Sequence, residues 1–151
     1  MKKNTLFVPP DFEVPDVLDT EYFRLRMLSV EDVEKDYEAV METQAYFHSQ
    51  GSKWPREGFT LEENRADLEQ HQQEFLNREA FAYTVVSLDE TRVLGCVYIN
   101  PTKSEATDAK VHMWVRQREY DKGLDPILFE TVKGWLKLSW PFSVVLYPGR
   151  E

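Results

Sequence analysis

A single cysteine, Cys96, and only three histidines stand among the 151 residues of this chain. One thiol cannot close an intrachain disulfide, so a reducing compartment, the cytoplasm, is expected. His71 and Glu74 have a spacing that can ligate a metal, but no second half-site lies near them in sequence. The pair reads as a solvated helix face, and no metal is expected. Positive charge is also short: 18 Lys+Arg face 27 Asp+Glu, a net charge of −9. Without a basic face to neutralise phosphates, no nucleic-acid partner is expected. No segment approaches the ~20 apolar residues of a membrane helix, so no membrane partner is expected. Met1-Lys2-Lys3 leads to Pro9-Pro10 rather than to an apolar leader. The six glycines compose neither a P-loop nor a dinucleotide fingerprint, and GxSxG is absent. What is present is a 42% apolar chain, long enough for one domain that buries roughly 68–70% of its unfolded surface.

Residues 1–21, with Pro9, Pro10 and Pro15, read as an extended N-terminal arm laid on the body through Phe7, Phe12 and Leu18. Residues 22–151 form the folded domain. Tyr22–Leu28 alternates as a strand with Phe23, Leu25 and Met27 on one face. Ser29, three before Asp32, is a capping-box-like start for a helix whose stripe is Val30, Val33, Tyr37, Val40 and Met41. Residues 44–59 form an aromatic loop. A second helix starts at Thr60, capped across to Glu63, and runs to about Asn77. Its stripe is thin (Leu61, Leu68, Phe75 and Leu76), so it should lie on the surface. Ala80–Leu88 and Arg92–Ile99 make a hairpin about Asp89-Glu90-Thr91. Lys110–Arg116 alternates again. Asp125 reads as the cap of a third helix, with Pro126 at its first position and Leu128, Val132, Trp135 and Leu136 as its stripe. Ser143–Tyr147 is a last short strand. The order β-α-α-β-β-β-α-β gives an α+β (α/β) domain, a central mostly antiparallel mixed sheet of about five strands flanked by three helices. The last strand should join in parallel.

With these residues the order resembles the GNAT superfamily of acyl-CoA N-acyltransferases, in particular the ribosomal-protein acetyltransferases. Leu18–Arg26 followed by Ser29-Val30-Glu31-Asp32 is similar to the family's first strand and helix entry. Arg92–Ile99, with its early Gly95, is similar to the third strand. Met113-Trp114-Val115-Arg116 through Lys122-Gly123-Leu124 resembles the fourth strand and the acyl-CoA loop. The family's loop reads Gln or Arg, any two residues, Gly, any residue, then Gly or Ala. Here it reads Tyr120-Asp121-Lys122-Gly123-Leu124-Asp125, keeping the central glycine. The resemblance also implies a helix and two strands after the fifth strand, where this sequence has four residues beyond Tyr147. The fifth strand is then expected as an open edge, covered by a second copy of the chain (a homodimer) or by the arm.

The resemblance implies acetyl-CoA as co-substrate and a primary amine of a small molecule or peptide as acceptor. Backbone N–H groups near Met113, Trp114 and Val115 would meet the oxyanion. Lys122, Gly123, Leu124 and Asp125 would hold the diphosphate, since N–H groups at a helix start carry the positive dipole end. His112 faces away from the Val111/Met113/Val115 stripe and titrates near neutrality, which makes it the first candidate base. Tyr98 and Glu119 come next. The alternative for His112 is a half-exposed strand residue paired with a neighbour. Tyr46, Phe47 and Trp54 would wall the substrate pocket, or merely anchor their loop. Cys96 reads as a small buried hydrophobe. A second function stays open: a non-catalytic GNAT-fold binding or dimerisation module without CoA affinity. Its motive is Asp125-Pro126, which sets a carboxylate and a missing N–H where phosphate would bind.

Overall fold

The computed structural model describes residues 6–150. One six-stranded sheet runs in sequence order: β1 (Val17–Asp19), β2 (Arg24–Met27), β3 (Phe81–Val86), β4 (Val93–Asn100), β5 (Ala109–Val115) and β6 (Val145–Leu146). All neighbours are antiparallel except β5 and β6, which are parallel. Five α-helices accompany it: α1 (Val33–Glu42), α2 (Gln44–Ser49), α3 (Leu61–Leu76), α4 (Gln117–Asp121) and α5 (Leu124–Ser139). The expected α+β class and mostly antiparallel sheet are therefore found, with one more strand and two more helices. Among the described residues no helix is long and apolar enough to cross a membrane.

The additional strand lies inside the expected arm. Thr20 Oγ1 donates to Phe23 O at 2.8 Å and accepts from Phe23 N–H at 3.0 Å, closing a turn that returns β1 onto β2. The rest of the described arm crosses the α5 side of the sheet. Phe7 stacks on Phe81 and Phe142, and Tyr83 Oη donates to Pro15 O at 2.6 Å. The arm thus extends the β2 edge of the sheet, and its described residues do not pair with β6.

Alternation along β3, β4 and β5 sorts the side chains into two layers. Tyr83, Val97 and Met113 align across the three strands and face α5. On α5 the expected stripe is buried, with Leu128, Val132 and Leu136 at 0% exposure. Ala82, Cys96, Tyr98 and Trp114 face the opposite way, toward α1 and α3. The Thr60–Glu63 capping box forms, and Arg56 braces Glu63. Leu76, expected in the α3 stripe, is exposed because the helix ends there.

Two helix starts differ from the sequence reading. Ser29 caps a 3-10 turn at Val30–Asp32 by accepting from Glu31 N–H, and Asp32 pairs with Arg26 at 2.5 Å instead of returning to the cap. Buried pairing with an arginine outcompetes a surface cap. At α5 the N-cap is Gly123, not Asp125: α4 ends at Asp121 and the chain reverses through Gly123 at φ +89°. Only glycine adopts that conformation without strain. Asp125 and Pro126 consequently lie inside the first turn of the helix.

Gly95 permits the close β4–β5 pairing that carries the site. A Cβ built there would lie 2.1 Å from Trp114 O and 3.0 Å from Val115 Cα, both backbone atoms. Gly95→Ala is expected to destabilise the fold by about 3 kcal/mol through this overpacking. Urea unfolding checks this: a midpoint equal to that of the parent would refute the close-approach argument.

Candidate active site

β5 carries the site because it outruns its neighbour. β6 pairs with it only at Ala109↔Val145 and Lys110↔Leu146. Arg116 N–H donates to Leu94 O on β4 at 2.8 Å, so by strand alternation Val111, Met113 and Val115 aim their backbone groups at the outer edge. There, among the described residues, the strand has no β partner. Two cavities meet at this stretch, one of about 600 Å³ and one of about 400 Å³, and both are lined by Phe47, His112, Met113 and Trp114.

The larger cavity opens between β4–β5 and the helical layer of α1 and α3. Its aromatic wall comes from α2, which replaces the first part of the loop expected over residues 44–59, from the loop after it and from β5. Phe47 packs edge-on to Trp114 (5.5 Å) and tilted on Trp54 (5.4 Å). Tyr98 lies directly opposite His112 across the β4–β5 ladder, and Trp114 Nε1 donates to Tyr98 Oη at 3.1 Å. Burial pushes the Tyr98 hydroxyl well above its ordinary range, helped by Cys96 and Asp36, so it stays a phenol. His112 is exposed at the shared mouth. Partial desolvation, then Lys110, lowers its pKa, leaving a neutral imidazole at pH 7 that can accept a proton.

The smaller cavity runs along the outer edge of β5 toward the start of α5. Tyr46 and Tyr120 close one side with rings 4.8 Å apart, and their hydrogen bond leads in pushing the Tyr46 hydroxyl up to about 12. Asp125 brings to this cavity a first-turn N–H group that a helix cannot satisfy itself, while Pro126 offers none and Leu124 lines a separate depression. The Asp125 carboxylate is clamped by Arg150 at 2.7 and 2.9 Å, and Arg150 Nη2 also donates to Met113 O at 3.1 Å.

Of the residues singled out in the sequence, the structure brings Tyr46, Phe47, Trp54, Tyr98, His112, Met113, Trp114, Val115 and Asp125 to the two cavities. Glu119 and Lys122 are elsewhere: they pair with each other at 3.7 Å, and Glu119 pairs with Arg92 at 3.2 Å, beside a separate depression. Gly123 forms the reversal and Leu124 is buried in the core. His71 does not lie on a solvated helix face. It lines the larger cavity with its ring 5.2 Å from that of Tyr98, because α3 turns this face onto the sheet. Among the described residues no set of three or more His, Cys, Asp or Glu gathers as metal ligands.

Three site residues escaped the sequence reading. Asp36 and Asn64 are 4% and 1% exposed, and Asn64 Nδ2 donates to Asp36 Oδ2 at 3.0 Å within the larger cavity. Asp36 sits three residues after Val33 and four before Val40, and Asn64 three after Leu61 and four before Leu68. Those positions belong to the buried faces, so a polar residue there was a readable signal. Arg150, the third, carries no local signal because its partner is 25 positions away.

No protein-family model matches the sequence, and no curated protein matches it. Solved structures do match. The ribosomal-protein-S5-alanine acetyltransferase of Vibrio fischeri superposes with a TM-score of 0.66 at 18% identity, covering 82% of this chain and 67% of that one. A microcin C7 self-immunity acetyltransferase, in complex with acetyl-CoA and AMP, gives 0.63 at 16% identity over 81% and 67%. A RimL ribosomal L7/L12 α-N-protein acetyltransferase in complex with CoA gives 0.58 at 16% identity over 68% of this chain and 56% of that one. The chain thus spans between about half and two thirds of the length of these proteins. With a β5 edge left open beside a helix start and this set of structural neighbours, the chain has the GNAT acetyltransferase fold.

Proposed function

We propose that the chain is an N-acetyltransferase that moves the acetyl group of acetyl-CoA to a primary amine. Residues 22–151 serve as the transferase domain and residues 1–21 as its arm. The observation that carries this reading is the meeting of two cavities at His112, Met113 and Trp114, one along an open strand edge and one walled by aromatic rings. Acetyl-CoA supplies, when bound, a thioester carbon open to attack by a neutral amine. The donor set of the smaller cavity fits it: the Asp125 N–H group with Arg150 suits the diphosphate, and the Met113 and Val115 backbone suits the acyl arm. His112 takes the proton that the amine loses as its nitrogen bonds to the acyl carbon, and Met113 and Val115 N–H groups stabilise the oxyanion. The carbon–sulfur bond then breaks to release the thiolate, which takes up that proton. The site works in the cytoplasm without a metal.

The Arg150–Asp125 clamp favours a second reading. It seals the Met113 carbonyl, and a chain that keeps it closed is a binding or dimerisation module without CoA affinity. Thermal denaturation with acetyl-CoA separates the two. The transferase should gain about 2.7 kcal/mol at a hundredfold excess over Kd, or roughly 5–10 °C for this size. No shift up to millimolar acetyl-CoA would leave only the module. In the same titration Asp125→Gly, which frees Arg150 and removes a carboxylate from the phosphate end, should bind acetyl-CoA about tenfold more tightly. Weaker binding by that variant would assign Asp125 to the ligand's support instead.

A further inference from the structure

Asp36 is a buried charge without a counter-charge. Its carboxylate is 4% exposed, lines the larger cavity, and has one neutral partner, Asn64. Its second oxygen and Asn64 Oδ1 take no hydrogen bond among the described residues, and no cation there pairs with Asp36. Two acceptors and a negative charge, walled by Trp54, Phe47 and Trp114, complement an organic ammonium. Leaving such a carboxylate unpaired costs stability, which a core position would not tolerate without use. Burial raises its pKa to about 6, with Asp32 and Asp67 adding to the effect.

The position of Asp36 separates this cation from the reacting centre. Asp36 lies over β4, where its charge acts on Cys96 and Tyr98, whereas the open edge belongs to the far side of β5. Strands stand about 4.8 Å apart, so carboxylate and edge are roughly 5–10 Å apart. An amine seated on Asp36 is not the one that reaches the thioester.

We infer that the larger cavity takes a small diamine, one ammonium held by Asp36 and Asn64 and the other nitrogen presented to β5 as the acetyl acceptor. This rests on the transferase reading above.

The test is calorimetric titration of 1,4-diaminobutane and 1,6-diaminohexane against the isosteric, uncharged 1,4-butanediol and 1,6-hexanediol, without acetyl-CoA. The better diamine should bind at least tenfold more tightly than its diol. Asp36→Asn should erase that preference while leaving diol binding within twofold. Its melting temperature should not fall, because an amide replaces an unpaired carboxylate. Diamine affinity should also weaken as pH drops through about 6, where Asp36 takes up a proton. Asp67, His71 and Tyr98 line the same cavity, while Asp32, paired with Arg26, and Cys96 interact electrostatically with Asp36 from beside it. The part of the pH dependence that disappears in Asp36→Asn is therefore the diagnostic one. Equal binding of diamines and diols, or a preference that survives Asp36→Asn, would overturn the proposal. With acetyl-CoA added, mass spectrometry distinguishes the two premises. Diamine bound yet never acetylated overturns the transferase reading and the acceptor role with it. Mono- and diamines acetylated alike leave the transferase and remove the diamine.

Discussion

Arg116→Leu is expected to lower folding stability by about 3–5 kcal/mol, the usual consequence of removing one member of a buried ion pair. Arg116 is 1% exposed at the end of β5. Its guanidinium donates to Glu42 at 2.6 and 3.2 Å, to Glu38 at 3.2 Å and to Val93 O at 3.1 Å. Leucine fills part of the volume but leaves the Glu42 carboxylate and a strand carbonyl without their donor. Arg118 still reaches Glu42 at 2.8 Å from a more exposed position, which keeps the loss from being larger. The acid limb should move as well. Arg116 leads in holding the Glu42 carboxyl down at about 2, below the ordinary glutamate value of 4.5. A depressed carboxylate stabilises the native state fully above its unfolded pKa, and that stabilisation is lost as pH falls through the folded value. In the variant the Glu42 pKa should rise, so acid unfolding should begin at higher pH. Urea melts at pH 7 and 4 read both effects. A loss below 1 kcal/mol with an unmoved acid limb would show that the cluster is not what ties α1 to β5.

The parts of the fold that were readable were those whose cause is local. Thr60 and Glu63 satisfy each other within one turn, and the α5 stripe repeats every three or four residues. The β3–β4 hairpin turns within a few polar residues. What escaped reading depends on partners far along the chain. Val17–Asp19 is too short and too proline-flanked to read as a strand until β2 offers it hydrogen bonds. The Asp125-Pro126 signature is a good helix start, yet the carboxylate goes to Arg150 and Gly123 takes the cap. The site shows the same division. Strand alternation already placed His112 on the face opposite Val111, Met113 and Val115, whereas Tyr46 and Phe47 reach the cavities from a helix, α2, where a loop was expected. Asp36 and Asn64 occupy readable positions on the buried helix faces, but an apolar stripe drawn only from apolar residues passes over them, and the buried face of α1 includes an aspartate.

On the proposed transferase reading, His112→Ala should reduce kcat/KM for acetyl transfer by about 10²–10³-fold, within the range that a positioned general base contributes. The argument starts from the strand. His112 alternates out of the α5-side core, stands opposite Tyr98, and lines both cavities at their junction. Tyr98 cannot share its task, since burial keeps that hydroxyl protonated. Desolvation and Lys110 lower the His112 pKa, so the proton-accepting form persists below the ordinary histidine range. The parent's acidic limb in kcat/KM should therefore fall below pH 6.5 and vanish in His112→Ala, whose residual rate should follow the ionisation of the amine alone. A histidine that merely packs on the strand would give a different result: an altered melting temperature, with rate and pH profile intact. Stopped-time acetylation assays across pH 5–9, alongside thermal melts of both proteins, tell these apart. If the alanine variant stays within twofold of the parent at every pH, the proton leaves the amine by another route, and His112 has no part in the chemistry.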